Sequence, residues 1–170
     1  MVFLDECSTN TAMERRYGRA PCGARAEGAA PVNYGDNISV IGAIRLEGIV
    51  TAMTIAGAVD GDVFKAFTSE FLAPELKPGD VVVMDNLAAH KVAGVREAIE
   101  AVGARLIYLP PYSPDLNPIE KCWAKVKHFL RSFAARTKEA LYQKLAQSLD
   151  LVTLKDLLGW FNHCGYKHAE

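Results

Sequence analysis

Three carboxylates stand at places where an acid needs a reason. Asp5 closes the apolar run Val2-Phe3-Leu4. Asp85 follows the continuous apolar run Val81-Val82-Val83-Met84. Glu120 comes just after the proline-rich stretch "LPPYSPDLNPIE", residues 109–120, which holds four prolines. Each has a purely structural explanation. Asp85 can close an Asx-turn and Asp5 can simply be solvated. Asn117 can act as an N-cap, with Pro118 at the first helical position and Glu120 completing a capping box. None of this explains why Glu120 stands behind so stiff an approach. Prolines reduce the entropy lost when a loop is ordered, which suits a side chain that must be placed closely. Three such acids brought together suit hard divalent cations, and a pair of ions about 3.5–4 Å apart serves in-line phosphoryl displacement. The carboxylates are therefore expected to converge within metal-bridging range. There is no Gly-rich phosphate loop, which argues against a nucleoside triphosphate.

The elements that must position these acids follow from the apolar pattern. Val2-Phe3-Leu4 is a short strand. Thr9 to Gly35 is a polar loop with Arg15, Arg16, Arg19 and Arg25. Ile38–Leu46 and Ile49–Ala56 form a hairpin around Glu47-Gly48. A helical stripe spans Asp62–Leu72, and Val81–Met84 has the composition of a strand buried on both faces. A helix over Val92–Val102, a strand over Arg105–Leu109 and helices over Pro118–Phe133, Lys138–Leu151 and Leu154–Phe161 complete the order. An antiparallel hairpin followed by β-α-β-α units implies an α/β fold: a mixed sheet flanked by helices. Sites in such sheets gather at strand ends, where Asp5 and Asp85 are expected.

The 170 residues suit one domain, and half of them are apolar. A formal charge of −1 excludes a wholly basic nucleic-acid binder, but not an enzyme that turns carboxylates on nucleic acid. The four cysteines form no C-x-x-C pair, which disfavours zinc, and scattered thiols point to a reducing cytosol. No apolar run reaches the roughly 18 residues of a membrane span, and the first residues lack the basic start of a signal peptide.

"FLDE", "VVVMDNLAAHK" and "LIYLPPYSPDLNPIEKCWAKVK" together resemble the catalytic domain of DDE transposases, in the bacterial insertion-sequence branch of the mariner-like superfamily. The resemblance extends to "RRYGRAP" and "FNHCGY" and implies a ribonuclease-H-like fold with extra C-terminal helices. It implies that Asp5, Asp85 and Glu120 are the catalytic, metal-holding acids, with 34 residues between the last two. It also implies two Mg2+ or Mn2+ ions, and as partners transposon-end DNA, target DNA and a second copy of the chain. Such a protein works in the bacterial cytoplasm at the nucleoid. Asn86 and His90 would lie beside the acids. Arg15, Arg16 and the basic face Lys121, Lys125 and Lys127 would meet DNA phosphates. The expected organisation is one catalytic domain over residues 1–170, the preceding helix-turn-helix region being supplied by a separately encoded half or lost. Two alternatives stand beside it. One is a truncated remnant that dimerises with or inhibits a full transposase; the other is a different ribonuclease-H-like nuclease.

Overall fold

The computed structural model describes residues 1–166. Five strands form one mixed sheet: β1 Val2–Asn10, β2 Asn37–Arg45, β3 Gly48–Ala56, β4 Val81–Met84 and β5 Arg105–Tyr108, in the order β3-β2-β1-β4-β5. β1 pairs antiparallel with β2 and parallel with β4, and β4 pairs parallel with β5. The mixed sheet expected from the element order is present. Val81–Met84 is a strand as read, and both hairpin strands lie within a residue of their expected places.

β1 differs from expectation. It does not stop at Asp5 but runs on to Asn10, because Cys7 and Thr9 alternate inward while Ser8 faces out. The first strand is thus the centre of the sheet, and Asp5 lies midway along it. The register explains why this still places Asp5 at a site. The parallel ladder between β1 and β4 ends at Leu4–Met84, so the chain leaves the sheet at Asp85 immediately beside Asp5.

Alternation along β1 divides its side chains between two cores. Val2 and Leu4 join Phe64, Phe67, Leu72, Val95 and Ile99 beneath α1 (Gly61–Ala66), its π-helical continuation Phe67–Leu72, and α2 (Val95–Ala101). Phe3 and Cys7 join Ile119, Trp123, Val126, Leu145 and Phe161 beneath α3 (Ile119–Phe133), α4 (Lys138–Asp150) and α5 (Leu154–His163). Helix α2 starts three residues later than its apolar pattern suggested, after a 3-10 turn at Ala88–Lys91.

Gly42 pairs with Asp5 across β1 and β2. A Cβ there would lie 2.8 Å from Cη2 of Trp123. The bare glycine lets the α3 indole approach the sheet closely beside Asp5. Gly42→Ala is expected to destabilise the chain by about 1–3 kcal/mol through overpacking, read as a lower urea midpoint. An unchanged midpoint would mean that α3 shifts without strain.

Candidate active site

Asp5 points to the α3 side of the sheet and is 6% exposed. Its Oδ1 accepts the Glu6 N–H at 2.8 Å and its Oδ2 the Asn117 amide at 3.3 Å. Burial, then the negative charges of Glu120 and Glu6, push its carboxyl up to about 8, against a partial offset from the Glu6 N–H and with a smaller push from Asp85.

The proline-rich loop reaches α3 from the end of β5. Leu109 N–H donates to Met84 C=O at 2.8 Å, and Tyr166 O–H donates to Leu116 C=O at 2.8 Å. Pro114–Leu116 is a 3-10 turn, and Tyr112 is fully exposed in the left-handed region (φ 58°). The expected capping box does not form. Pro118 is the N-cap of α3, and no side chain caps it. Asn117 contributes only its backbone C=O, to the Glu120 N–H at 3.2 Å. Its side chain is buried and turned to Asp5, with Oδ1 unpaired. Glu120 is thereby left exposed in a cleft of about 330 Å³, lined also by Asp85, Asn86, Tyr112, Ser113 and Asn117.

Asp85 is engaged elsewhere. Its Oδ1 accepts the Leu87 N–H at 3.0 Å and lies 2.6 Å from His90 Nδ1, close enough for an ion pair but off the line of a full hydrogen bond. Burial pulls the Asp85 carboxyl up, but His90 and the Leu87 N–H outweigh it, and the group sits below its usual range. His90 is wholly buried, its ring stacked on Phe64 at 4.1 Å, and its Nε2 meets Glu6 Oε2 at 2.8 Å. Burial opposes its charge, yet Asp85 and Glu6 raise it to about 9, an imidazolium between two carboxylates. With both nitrogens so occupied, His90 does not reach a DNA phosphate without displacing an acid.

Asp85 and Glu120 therefore line one cleft, and Asp5 lies buried behind its wall, bonded to the cleft residue Asn117; the three do not form a ready-made cage. Among the described residues, no group of three or more His, Cys, Asp or Glu side chains is gathered closely enough to hold an ion. The expected close convergence is not met: Asp5 is buried and bonded to Asn117, and Oδ1 of Asp85 is engaged by the Leu87 N–H and His90. The donor set itself fits a hard divalent cation: three carboxylates, one of them forced toward its neutral form by burial and its neighbours.

The basic residues divide. Arg15 and Arg16 line a recess with Lys127, Arg131 and Tyr34, and another with His128 and Arg131. Lys125 is committed to the α4–α5 junction, at 2.7 Å from the Leu151 C=O that ends α4 and 2.5 Å from Asp156 of α5. Lys121 is half-buried beside Glu120. Asn86 lines the cleft. Sequence reasoning missed Glu6 and gave Asn117 the wrong task. Strand alternation holds the signal for Glu6, which must face the layer opposite Asp5.

Among the described residues, no helix is long and apolar enough to cross a membrane. No curated protein sequence matches the chain. Solved structures match in fold. The Mos1 transposase paired-end complex with left transposon end aligns with TM-score 0.76 at 16% identity, covering 96% of this chain and 51% of that one. The Mos1 mariner paired-end complex with Mn aligns at 0.70 and 16%, covering 99% and 56%. The catalytic domain of Mos1 mariner transposase aligns at 0.65 and 14%, covering 96% and 74%. The chain thus spans about half the length of the transposases in those two complexes, and the shared fold is the ribonuclease-H-like one. The family model described as DDE superfamily endonuclease matches residues 1–142, a span that contains Asp5, Asp85 and Glu120, and the chain belongs to that family.

Proposed function

We propose that this chain is the catalytic domain of a DDE transposase of the insertion-sequence type. It hydrolyses DNA phosphodiester bonds at transposon ends, and the freed 3′-hydroxyl then attacks a target phosphodiester, joining the transposon strand to the target and releasing a target 3′-hydroxyl. The observation that carries this reading is Asp5: a buried acid on the central strand, coupled in charge to Glu120 and Asp85 at the mouth of one cleft. Asp5, Asp85 and Glu120 would hold Mg2+ or Mn2+. Two such ions would supply activation of the attacking oxygen and stabilisation of the leaving one.

The chain's own residues do the rest. Asn117 and the Glu6 N–H orient Asp5, the acid that feels the charge of both others. The stapled proline loop fixes the start of α3 and so the reach of Glu120. Arg15, Arg16, Lys127 and Arg131 offer a basic recess that neutralises phosphates without reading bases. A second copy of the chain completes the proposed assembly. The intact set of three acids favours this reading over an inactive remnant.

The test is nicking of supercoiled plasmid by the full chain. Nicking is expected in Mg2+ or Mn2+, to vanish with chelator, and to fall by about 10³-fold or more in Glu120→Gln with unchanged circular dichroism. Nicking that persists in chelator, or equal rates in the variant, would overturn the assignment.

A further inference from the structure

Consecutive residues of β1 serve opposite sides of the sheet. Asp5 faces the α3 side, buried against the cleft residue Asn117. Glu6 points into the α1 side, where its carboxylate takes His90 Nε2 at 2.8 Å. The His90 ring is fixed on every side. Phe64 stacks on it at 4.1 Å and 25°. Its backbone N–H donates to Leu87 C=O at 3.2 Å, and its C=O accepts the Tyr108 hydroxyl at 3.0 Å. The remaining ring nitrogen, Nδ1, lies 2.6 Å from Asp85 Oδ1, the same oxygen that accepts the Leu87 N–H. One oxygen of Asp85 therefore takes one hydrogen bond and one close ion-pair contact, while Oδ2 of this cleft-lining residue is left without a partner among these contacts.

We propose that Glu6 and His90 are positioning residues for Asp85: Glu6 fixes the ring, the ring pins Oδ1, and Oδ2 is thereby presented to the divalent cation. This rests on the metal-site reading given under the proposed function. Asp85 stands just past the end of β4, where the ladder no longer constrains it. A carboxylate left free there would lose rotamer entropy on meeting a cation. Held by the ring, it has lost that freedom already. A direct ligand role for His90 does not fit, because both nitrogens face carboxylates and the ring has no exposure. Outer partners of this kind are typically worth 10–100-fold in metal affinity.

The test uses the full chain and Mn2+ binding, followed by electron paramagnetic resonance of the free ion. The Glu6 side chain is 20% exposed, so substitution there is tolerable. Glu6→Ala is expected to weaken Mn2+ binding 10–100-fold. Glu6→Gln, whose amide oxygen still accepts the Nε2 proton, is expected to stay within about threefold of wild type, although it has lost the same charge. Should the alanine variant prove unstable, Glu6→Thr gives the same truncation in a residue that suits a strand. Equal losses in the truncated and glutamine variants would mean that Glu6 acts only as a distant charge. No loss in either would mean that packing alone holds His90. Either outcome overturns the proposal while leaving the metal site intact. A wild-type chain that binds no Mn2+, or an Asp85→Asn variant that binds it equally well, overturns the metal-site reading and this role with it.

Discussion

Asp5→Asn is expected to stabilise the metal-free protein at pH 8 by on the order of 3 kcal/mol. The carboxyl stands at about 8 when folded, against 3.8 as its ordinary value. Between these values the folded chain holds a proton that the unfolded chain has released, so stability falls as pH rises from about 4 to 8. Each unit is worth about 1.4 kcal/mol, and even half the displacement gives the quoted gain when the acid is removed. His90 acts in the same direction. Its raised value of about 9, against 6.5, contributes stability that is complete below 6.5 and lost as pH climbs through 9. Asp85 supplies the opposing limb: its lowered carboxyl contributes above 3.8 and fails as acid protonates it. Urea unfolding in chelator at pH 5, 7 and 8.5 is the measurement. The wild-type midpoint is expected to fall across the series and the Asp5→Asn midpoint to fall less. A variant less stable than wild type at pH 8.5 would show that Asp5 is not a strained charge.

Divalent cation is expected to remove that advantage. A ligand that binds only the folded chain at 100 times its Kd adds about 2.7 kcal/mol. Wild type should gain close to this in Mn2+, with a proton released from Asp5 below pH 8. Asp5→Asn and Asp85→Asn should gain little, because each replaces a charged oxygen donor by a neutral amide. Thermal unfolding with and without Mn2+ reads the contrast directly. Equal shifts in all three proteins would place the ion elsewhere.

The elements most legible from sequence were those whose signal is local. Val81–Met84 carries four consecutive apolar residues, and the α3 stripe Ile119, Trp123, Val126, Leu130 repeats at helical spacing. The end of β1 was misplaced because Glu6-Cys7-Ser8-Thr9-Asn10 looks polar. Its inward residues are Cys7 and Thr9, and only pairing with β2 shows that they are buried. The capping box at Asn117 was a sound local inference that a distant partner overrode, since Asp5 claims the amide across 112 positions of sequence. Alternation gives the face of Glu6, but its contact with His90, 84 positions away, has no local signal. Residue types and strand ends suggested which acids matter, but the orientation of each acid depends on contacts between remote segments.

The place of β1 at the middle of the sheet governs the order in which the molecule can assemble. During synthesis the central strand emerges ahead of both its neighbours. β2 arrives only after the loop of residues 11–36, and β4 later still. Val2–Leu4 has no parallel partner until Val81–Met84 has been made. The β1–β2–β3 meander, built from nearer contacts, is thus the part able to form early, while docking of β4 closes a long segment at a high entropic cost. Asp5 and Asp85 become neighbours only at that late step. A chain halted before it carries an apolar strand edge, open to pairing with another copy. Slow refolding that depends on protein concentration is the kinetic mark of such an arrangement.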